Sequence, residues 1–188
     1  VATPARRGLS GPAWNIILDM DGVLYKNAEV EGDIVRRLQQ ATAGLGLGPD
    51  AHQQLFYSHG STIRGLLDEG HLQGEAVASF YSSVYDEVDL SALKPDPLLS
   101  RQLESLRTQN VGLWLATNSP RPFVNRVLKA LELDPDSLRI VCPSAENGWL
   151  NKPDTRFFSS LPHTSKFFDD SYGHVRAAVA AGLPAAHV

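Results

Sequence analysis

Residues 15–25 read NIILDMDGVLY, an apolar run that ends in two carboxylates two positions apart. Because the run has the length and composition of a buried parallel strand, we expect Trp14–Leu18 to form the first strand. Asp19 and Asp21 would then lie at its carboxyl end, the edge where open α/β sheets bind ligands. Gly22 allows a tight turn directly afterwards. The stretch predicts a polar site at a sheet edge, although an isolated Asp-x-Asp-Gly sequence equally fits a polar turn that closes a strand.

Four further apolar runs have strand length, and helical patterns separate most of them. The predicted strands are Val111–Ala116, Leu138–Cys142, Lys166–Phe168 and Pro184–Val188. Capping residues, first-turn prolines and a terminal glycine mark the ends of the helices. The predicted helices start at Asp96-Pro97, at Ser119-Pro120, at Pro153 and near Tyr172, the last one stopping at Gly182. This alternation predicts an α/β fold with a doubly wound parallel sheet.

Residues 26–94 have a different pattern, in which helical periods follow one another with no convincing strand between them. The clearest periods are Ile34, Val35 and Leu38, and then Val77, Phe80, Tyr81 and Val84. We therefore expect an all-helical insertion that leaves the sheet after its first strand and returns through the proline-rich segment 93–97. The predicted domains are a core of residues 1–25 and 95–188 and a helical lid of residues 26–94.

Composition limits the classes of partner. The net charge of -4 gives no electrostatic reason to expect a nucleic acid polymer or a membrane surface, and no apolar run reaches the roughly 18 residues of a membrane span. The single cysteine, Cys142, excludes an internal disulfide and fits a reducing compartment. We expect an intracellular protein, with cytoplasm and organelle matrix both open, because Arg6 and Arg7 fit either a solvated tail or a transit-sequence remnant.

The two carboxylates of Asp19 and Asp21 suit phosphoryl transfer. One can attack phosphorus, while the other, if its pKa is held higher, can protonate the leaving oxygen. We assign Asp19 as the nucleophile and Asp21 as the general acid and then the general base. This chemistry needs countercharge and groups that bind phosphate.

Further polar groups follow other predicted strands or precede helices. Thr117 and Asn118 follow the second strand, Lys152 precedes a helix, and Asp169 and Asp170 follow the fourth strand. Donors at a helix N-terminus favour phosphate oxygens, and converging carboxylates suit Mg²⁺. Each group alone also has an ordinary explanation, either a helix cap or a surface lysine.

The order strand-Asp-x-Asp, strand-Thr-Asn, Lys-Pro and strand-Asp-Asp resembles the four motifs of the haloacid dehalogenase superfamily across residues 15–188. The resemblance implies a Rossmann-like parallel sheet with a helical cap inserted after the first strand. It also implies a phosphoaspartyl intermediate on Asp19, with Thr117, Asn118 and Lys152 binding the phosphoryl group. The implied Mg²⁺ ligands are Asp19, the main-chain carbonyl of Asp21, and Asp170, with Asp169 assisting.

Residues 57–66, YSHGSTIRGL, look like the fungal and plant pyrimidine 5'-nucleotidase branch of that superfamily. In that branch the segment faces the active site. The resemblance therefore implies that Tyr57, His59 and Arg64 contact the substrate, and a plain loop between cap helices is the alternative.

The resulting hypothesis is a magnesium-dependent phosphomonoester hydrolase that acts on a small phosphorylated substrate, such as a pyrimidine 5'-monophosphate. Two positions depart from the nucleotidase branch: Gly22-Val23 stands where Asn-Thr is more frequent, and His174 stands where relatives often have Asn. Two alternatives therefore stay open, a structural subunit of a larger assembly and a phosphomutase. Asp21 indicates phosphate chemistry, because the true dehalogenases of the superfamily lack this second carboxylate.

Overall fold

The computed structural model of the chain describes residues 14–188, so the expectations for residues 1–13, including Arg6 and Arg7, lie outside the described residues. Within this range the strands are β1 (Trp14–Leu18), β2 (Val111–Ala116), β3 (Arg139–Val141), β4 (Ser165–Asp169) and β5 (Ala185–His187). They form one parallel sheet of 5 strands with the order β3-β2-β1-β4-β5. The predicted α/β class with a doubly wound parallel sheet is confirmed.

Eight helices surround or extend from this sheet within the described residues. They are α1 (Ala28–Gly44), α2 (Ala51–His59), α3 (Thr62–Asp68), α4 (Glu75–Tyr85), α5 (Pro97–Thr108), α6 (Arg121–Ala130), α7 (Thr155–Ser159) and α8 (Tyr172–Ala180). The first four follow one another without an intervening strand, in agreement with the helical pattern of residues 26–94. The division of the chain into a core and a lid stays a prediction. No helix in residues 14–188 is both long enough and apolar enough to cross a membrane.

Two predicted helix starts are wrong by one or two residues. Helix α6 starts after Pro120, and Ser119 does not cap it because the Ser119 hydroxyl donates to the Asp21 carboxylate instead. Helix α7 starts after Asp154 rather than at Pro153, since the Asp154 carboxylate accepts the backbone N–H group of Arg156 at 2.9 Å and so forms the cap. In both places a side-chain hydrogen bond decides the outcome: the Asp154 cap is local, whereas the partner of Ser119 is distant in sequence.

Helices cover both faces of the sheet, as a doubly wound fold requires. On one face, Leu115 of β2 packs into an apolar cluster with Val127 of α6 and with side chains of the first four helices. On the other face, Ile17 of β1 and Phe167 of β4 pack with Phe157 of α7. The sheet is therefore buried on both sides, and its carboxyl edge is left to carry polar groups.

The central strand β1 positions the predicted nucleophile. It pairs with β2 and with β4, and the pairs Leu18–Leu115 and Leu18–Phe168 lie at its carboxyl end. One residue later, the backbone N–H group of Asp19 donates to the carbonyl of Phe168 at 2.9 Å. The segments that follow β1, β2 and β4 consequently meet at the same edge.

Candidate active site

A tight turn after β1 places Asp19 and Asp21 at the carboxyl edge. The backbone N–H group of Gly22 donates to the carbonyl of Tyr25 at 2.8 Å and closes this turn. Gly22 has a φ of 79°, in the left-handed region that favours glycine. Both carboxylates lie in the cavity described below, so the structure brings the predicted pair together.

Lys152 is the buried cation of the site. Its Nζ atom lies 2.8 Å from Asp19 Oδ1 and 2.6 Å from Asp169 Oδ2, and the side chain is 1% exposed. Burial lowers the pKa of Lys152, but the two carboxylates outweigh burial and raise that pKa above its ordinary value. Lys152 is therefore a permanent positive charge directly behind the predicted nucleophile.

The side chain of Asn118 holds the backbone of Lys152 in place. Its Oδ1 atom accepts the Lys152 N–H group at 2.7 Å, and its Nδ2 atom donates to the Lys152 carbonyl at 2.9 Å. Both ends of the amide are thus engaged, although Asn118 was predicted to bind phosphate. The side chain therefore fixes the loop that carries Lys152, and the predicted contact of Asn118 with phosphate stays a prediction.

Asp169 lies behind Lys152, away from solvent, with a side chain that is 0% exposed. Its carboxylate accepts the Ser171 N–H group at 2.7 Å and lies 3.1 Å from Nδ1 of His174. Burial raises the pKa of Asp169, but Lys152 and His174 outweigh it and hold that pKa far below its usual range. Asp169 is therefore a fixed anion that anchors two cationic or donor side chains.

His174 is a site residue whose role the sequence does not reveal. Its Nδ1 atom faces Asp169, and its Nε2 atom lies 3.2 Å from the carbonyl oxygen of Gly60 at the end of α2. The imidazole thus joins the carboxyl edge of the sheet to the helices inserted after β1. The sequence marked it only as a departure from related proteins, five residues after Asp169 in the first turn of α8, and the direction of the ring could not be read from either sign.

Asp21 is held through both of its carboxylate oxygens. The Tyr25 hydroxyl donates to Oδ1, and the Ser119 hydroxyl donates to Oδ2 at 3.1 Å. Burial raises the pKa of Asp21, while these two hydrogen bonds oppose the rise only in part. A carboxyl group with a raised pKa suits general acid catalysis. Burial also raises the pKa of Asp19, and the Lys152 ammonium opposes that rise.

The carboxyl edge opens into a cavity of about 440 Å³. Thr117, fully buried at 0% exposure, lines its floor together with the predicted catalytic residues. The walls away from the sheet come mainly from α1, α2 and α3. The residues that line the cavity include Asp19, Asp21, Glu31, Ile34, Leu38, Phe56, Ile63, Thr117, Lys152 and Asp170.

The acidic groups at this edge fit a divalent cation. Ligand atoms of Asp19, Asp169 and His174 lie within 4.8 Å of one another. The Asp169 oxygens, however, already accept from Lys152 and His174. In residues 14–188 no donor contacts Asp19 Oδ2 or the carboxylate oxygens of Asp170. Since Mg²⁺ prefers oxygen ligands, the carboxylates of Asp19 and Asp170 suit it best, and the part of the Asp21 carbonyl stays a prediction.

Gly22 leaves no room for a side chain beneath Asp170, because a Cβ atom built on it would overlap Asp170 Oδ2. We expect Gly22→Ala to lower the free energy of unfolding by about 1–3 kcal/mol and to weaken Mg²⁺ binding. Gly46→Ala is the matched control, since Gly46 has a φ of 78° and nothing within 4 Å of such a Cβ atom. Thermal unfolding with and without Mg²⁺ measures both effects, and an equal Mg²⁺-dependent shift in the two variants would contradict the assignment of Asp170.

The three residues predicted to contact the substrate do not line the cavity. Tyr57 is 74% exposed on α2. Arg64 pairs with Asp68 on the next turn of α3 and lies 3.4 Å from Asp154. His59 Nδ1 lies 3.5 Å from the same Asp68 carboxylate. Acidic neighbours thus hold the basic side chains on the outer surface, and the geometry does not support their predicted role.

Known hydrolases resemble this chain in sequence and in fold. The family model for haloacid dehalogenase-like hydrolases matches residues 15–182. The chain is 25% identical over 179 residues to a phosphorylated carbohydrates phosphatase of Thermotoga maritima, covering 89% of this chain and 81% of that protein. A hydrolase structure from Pseudomonas syringae covers 93% of this chain and 83% of its own, with a TM-score of 0.62 and 20% identity. The structure of CbbY from Rhodobacter sphaeroides in complex with xylulose-(1,5)bisphosphate covers 91% of this chain and 84% of its own, with a TM-score of 0.62 and 18% identity.

Proposed function

Since the chain belongs to the haloacid dehalogenase-like hydrolase family, we propose that it is a phosphomonoester hydrolase whose nucleophile is Asp19. The observation that carries this proposal is the arrangement of two carboxylates, a buried one on Asp19 and a half-buried one on Asp21, with different surroundings. Asp19 lies 2.8 Å from the Lys152 ammonium, whereas Asp21 is held by two hydroxyl groups. This convergence counts against the alternative of a purely structural subunit.

The proposed reaction has two steps. In the first, a carboxylate oxygen of Asp19 attacks phosphorus, the bond from phosphorus to the leaving oxygen breaks, and that oxygen takes the proton of Asp21. In the second, a water oxygen attacks phosphorus, its proton passes to Asp21, and the bond from phosphorus to Asp19 breaks to release phosphate. Lys152 provides positive charge beside the reacting group throughout. A phosphomutase shares only the first step, so identification of the product separates it from a hydrolase.

We propose that Asp19 and Asp170 hold Mg²⁺, which when bound supplies positive charge to the phosphoryl oxygens. Chelation with EDTA should therefore reduce phosphate release to the background level, and added Mg²⁺ should restore it. Mg²⁺ should also raise the melting temperature of the wild-type protein, because a ligand that binds only the folded state stabilises it. Full activity after chelation and dialysis would contradict this proposal.

The residues in the outer walls of the cavity favour a substrate whose leaving group carries no charge. Ile34, Leu38, Phe56 and Ile63 provide apolar and aromatic surface, and Glu31 provides a carboxylate. Among the cavity-lining residues within the described range, Lys152 is the only lysine or arginine, and its side chain pairs with two carboxylates. A second phosphate or a carboxylate on the leaving group would therefore find no unpaired lysine or arginine side chain among the cavity-lining residues.

We propose a nucleoside monophosphate, such as a pyrimidine 5'-monophosphate, as the substrate of this cavity. Its base can pack against the ring of Phe56, and its ribose hydroxyls can donate to Glu31. The identity to the Thermotoga maritima phosphatase favours a second candidate, a phosphorylated carbohydrate. Glu31 can accept hydrogen bonds from the hydroxyl groups of either substrate, but only the nucleotide has a base that packs against the apolar wall.

A phosphate-release screen tests these proposals. UMP, CMP, ribose 5-phosphate, glucose 6-phosphate and an aryl phosphate are compared with Mg²⁺ present. We expect kcat/KM for UMP or CMP to exceed that for the sugar phosphates at least about tenfold, since a few apolar contacts are worth about 1–3 kcal/mol. The reverse order would favour the carbohydrate, and release no faster than that of an Asp19→Asn control would exclude the hydrolase.

A further inference from the structure

The general acid of the proposed reaction is oriented by two residues that do not touch the cavity. Asp21 lines the cavity, whereas neither Tyr25 nor Ser119 is among its lining residues. Tyr25 nevertheless donates to Oδ1 of Asp21, and Ser119 donates to Oδ2 at 3.1 Å. The two hydroxyls therefore hold Asp21 from the side opposite the substrate.

The backbone fixes the hydroxyl of Tyr25. The Tyr25 carbonyl accepts the Gly22 N–H group at 2.8 Å, and the Tyr25 N–H group donates to the carbonyl of Met20 at 3.3 Å. The side chain is 8% exposed and belongs to the larger apolar cluster. The turn that presents Asp21 to the cavity thus also delivers the hydroxyl that holds it.

Ser119 is fixed independently, from the segment after β2. Its backbone N–H group donates to Oγ1 of Thr117 at 3.1 Å, and the residue is 2% exposed. The two donors therefore come from different parts of the chain, and each occupies one oxygen of Asp21. A carboxyl group held in this way cannot rotate about its Cβ–Cγ bond without breaking a hydrogen bond.

We propose that Tyr25 and Ser119 are positioning residues that aim the proton of Asp21 at the leaving oxygen of the substrate. This inference rests on the proposed phosphatase function. With one donor on each oxygen, the remaining lone pairs of the carboxyl group face the cavity, where the proton is given to the leaving oxygen and later taken from water. Loss of either donor allows the carboxyl plane to turn, and misplacement of a catalytic group by about 1 Å is sufficient to slow a reaction on the order of a hundredfold.

The leaving group provides the readout that distinguishes positioning from general support of the fold. An alkoxide leaving from a nucleotide needs a proton as its bond to phosphorus breaks. A dinitrophenolate leaves as a stable anion and does not need that proton. A defect in proton delivery therefore slows the first substrate and spares the second, whereas a distorted site slows both.

The experiment measures kcat/KM of Tyr25→Phe and Ser119→Ala on UMP and on 2,4-dinitrophenyl phosphate. This parameter reports the steps up to departure of the leaving group. We expect a loss of at least about tenfold on UMP and less than about threefold on the aryl ester for each variant. Tyr81→Phe is the matched control, because Tyr81 is a buried tyrosine whose hydroxyl has no hydrogen-bond partner among residues 14–188; it should change neither value by more than about twofold.

The other outcomes have separate meanings. Equal losses on both esters, or no loss on either, would overturn the positioning role while leaving the phosphatase function intact. A wild-type protein inactive on both esters would overturn the proposed function and this inference with it. If Tyr25→Phe does not fold, Ser119→Ala carries the same expectation through the other carboxylate oxygen.

Discussion

The Asp19→Asn variant should release phosphate at least about a thousandfold more slowly than the wild-type protein. The carboxamide has nearly the same shape as the carboxylate, and its oxygen can still accept the Met20 N–H group, which lies 2.6 Å from Oδ1 of Asp19. It cannot act as the nucleophile, so the first bond to phosphorus does not form. Rates near the background level in phosphate-release assays are the expected result.

Folding of the Asp19→Asn variant should be preserved. Lys152 keeps its contact with Asp169 at 2.6 Å, so no buried cation is left unpaired. Asp136→Asn is a suitable matched control, because Asp136 is exposed and its side chain makes no hydrogen bond or ion pair within residues 14–188. Acid quenching during turnover followed by peptide mass spectrometry should detect a phosphorylated Asp19 in the wild-type protein only. Normal turnover by Asp19→Asn would show that another residue attacks phosphorus.

The Lys152→Met variant should lose both stability and activity. Methionine fills most of the same volume but leaves the Asp19 and Asp169 carboxylates, at 2.8 Å and 2.6 Å from the lysine nitrogen, without their shared cation. Breaking a buried ion pair by removing one partner costs about 3–5 kcal/mol. That is a large part of a typical net stability of about 5–15 kcal/mol. Activity should fall as well, since the charge beside the reacting group is gone.

Urea denaturation measures the loss of stability. Lys166→Met is the matched control, since the Lys166 nitrogen lies 5.3 Å from the ring centre of Phe168, much as that of Lys152 lies 5.5 Å from Phe167. Lys166 is exposed, so its replacement should cost less than about 1 kcal/mol. The double variant Lys152→Met/Asp169→Asn should recover part of the stability without activity. A cost below about 1 kcal/mol for Lys152→Met would show that the buried charges do not depend on one another.

The sequence predicts the sheet well, because short apolar runs, terminal polar residues and motif order all point to the same edge. It also identifies Asp19, Asp21, Thr117 and Lys152, which the structure brings together in one cavity. These predictions depend only on which residues follow a strand or precede a helix. They do not depend on the direction in which a side chain turns.

The sequence does not predict the direction in which each side chain points. Arg64 pairs with Asp68, four residues later on the same helix, and this spacing was a readable sign of an intrahelical ion pair. Ser119 donates to a carboxylate 98 residues away, so no local pattern predicts this partner. Phe56 lines the cavity while the adjacent, predicted Tyr57 does not, because adjacent residues on a helix face in different directions.

The central place of β1 in the sheet also determines when the catalytic edge can assemble. The side chain of Asn15 accepts a hydrogen bond from Trp114, 99 residues later, and donates to Thr164, 149 residues later. During synthesis β1 therefore stays unpaired at both edges until β2 and β4 have been made. Closing these long loops costs conformational entropy before strand pairing compensates for it. Unpaired apolar strands invite association with other chains, so chaperone binding to the nascent segment 14–24 would protect it. The strand that leads to Asp19 is made before the other four strands of the sheet, but its carboxyl edge is complete only after they have paired.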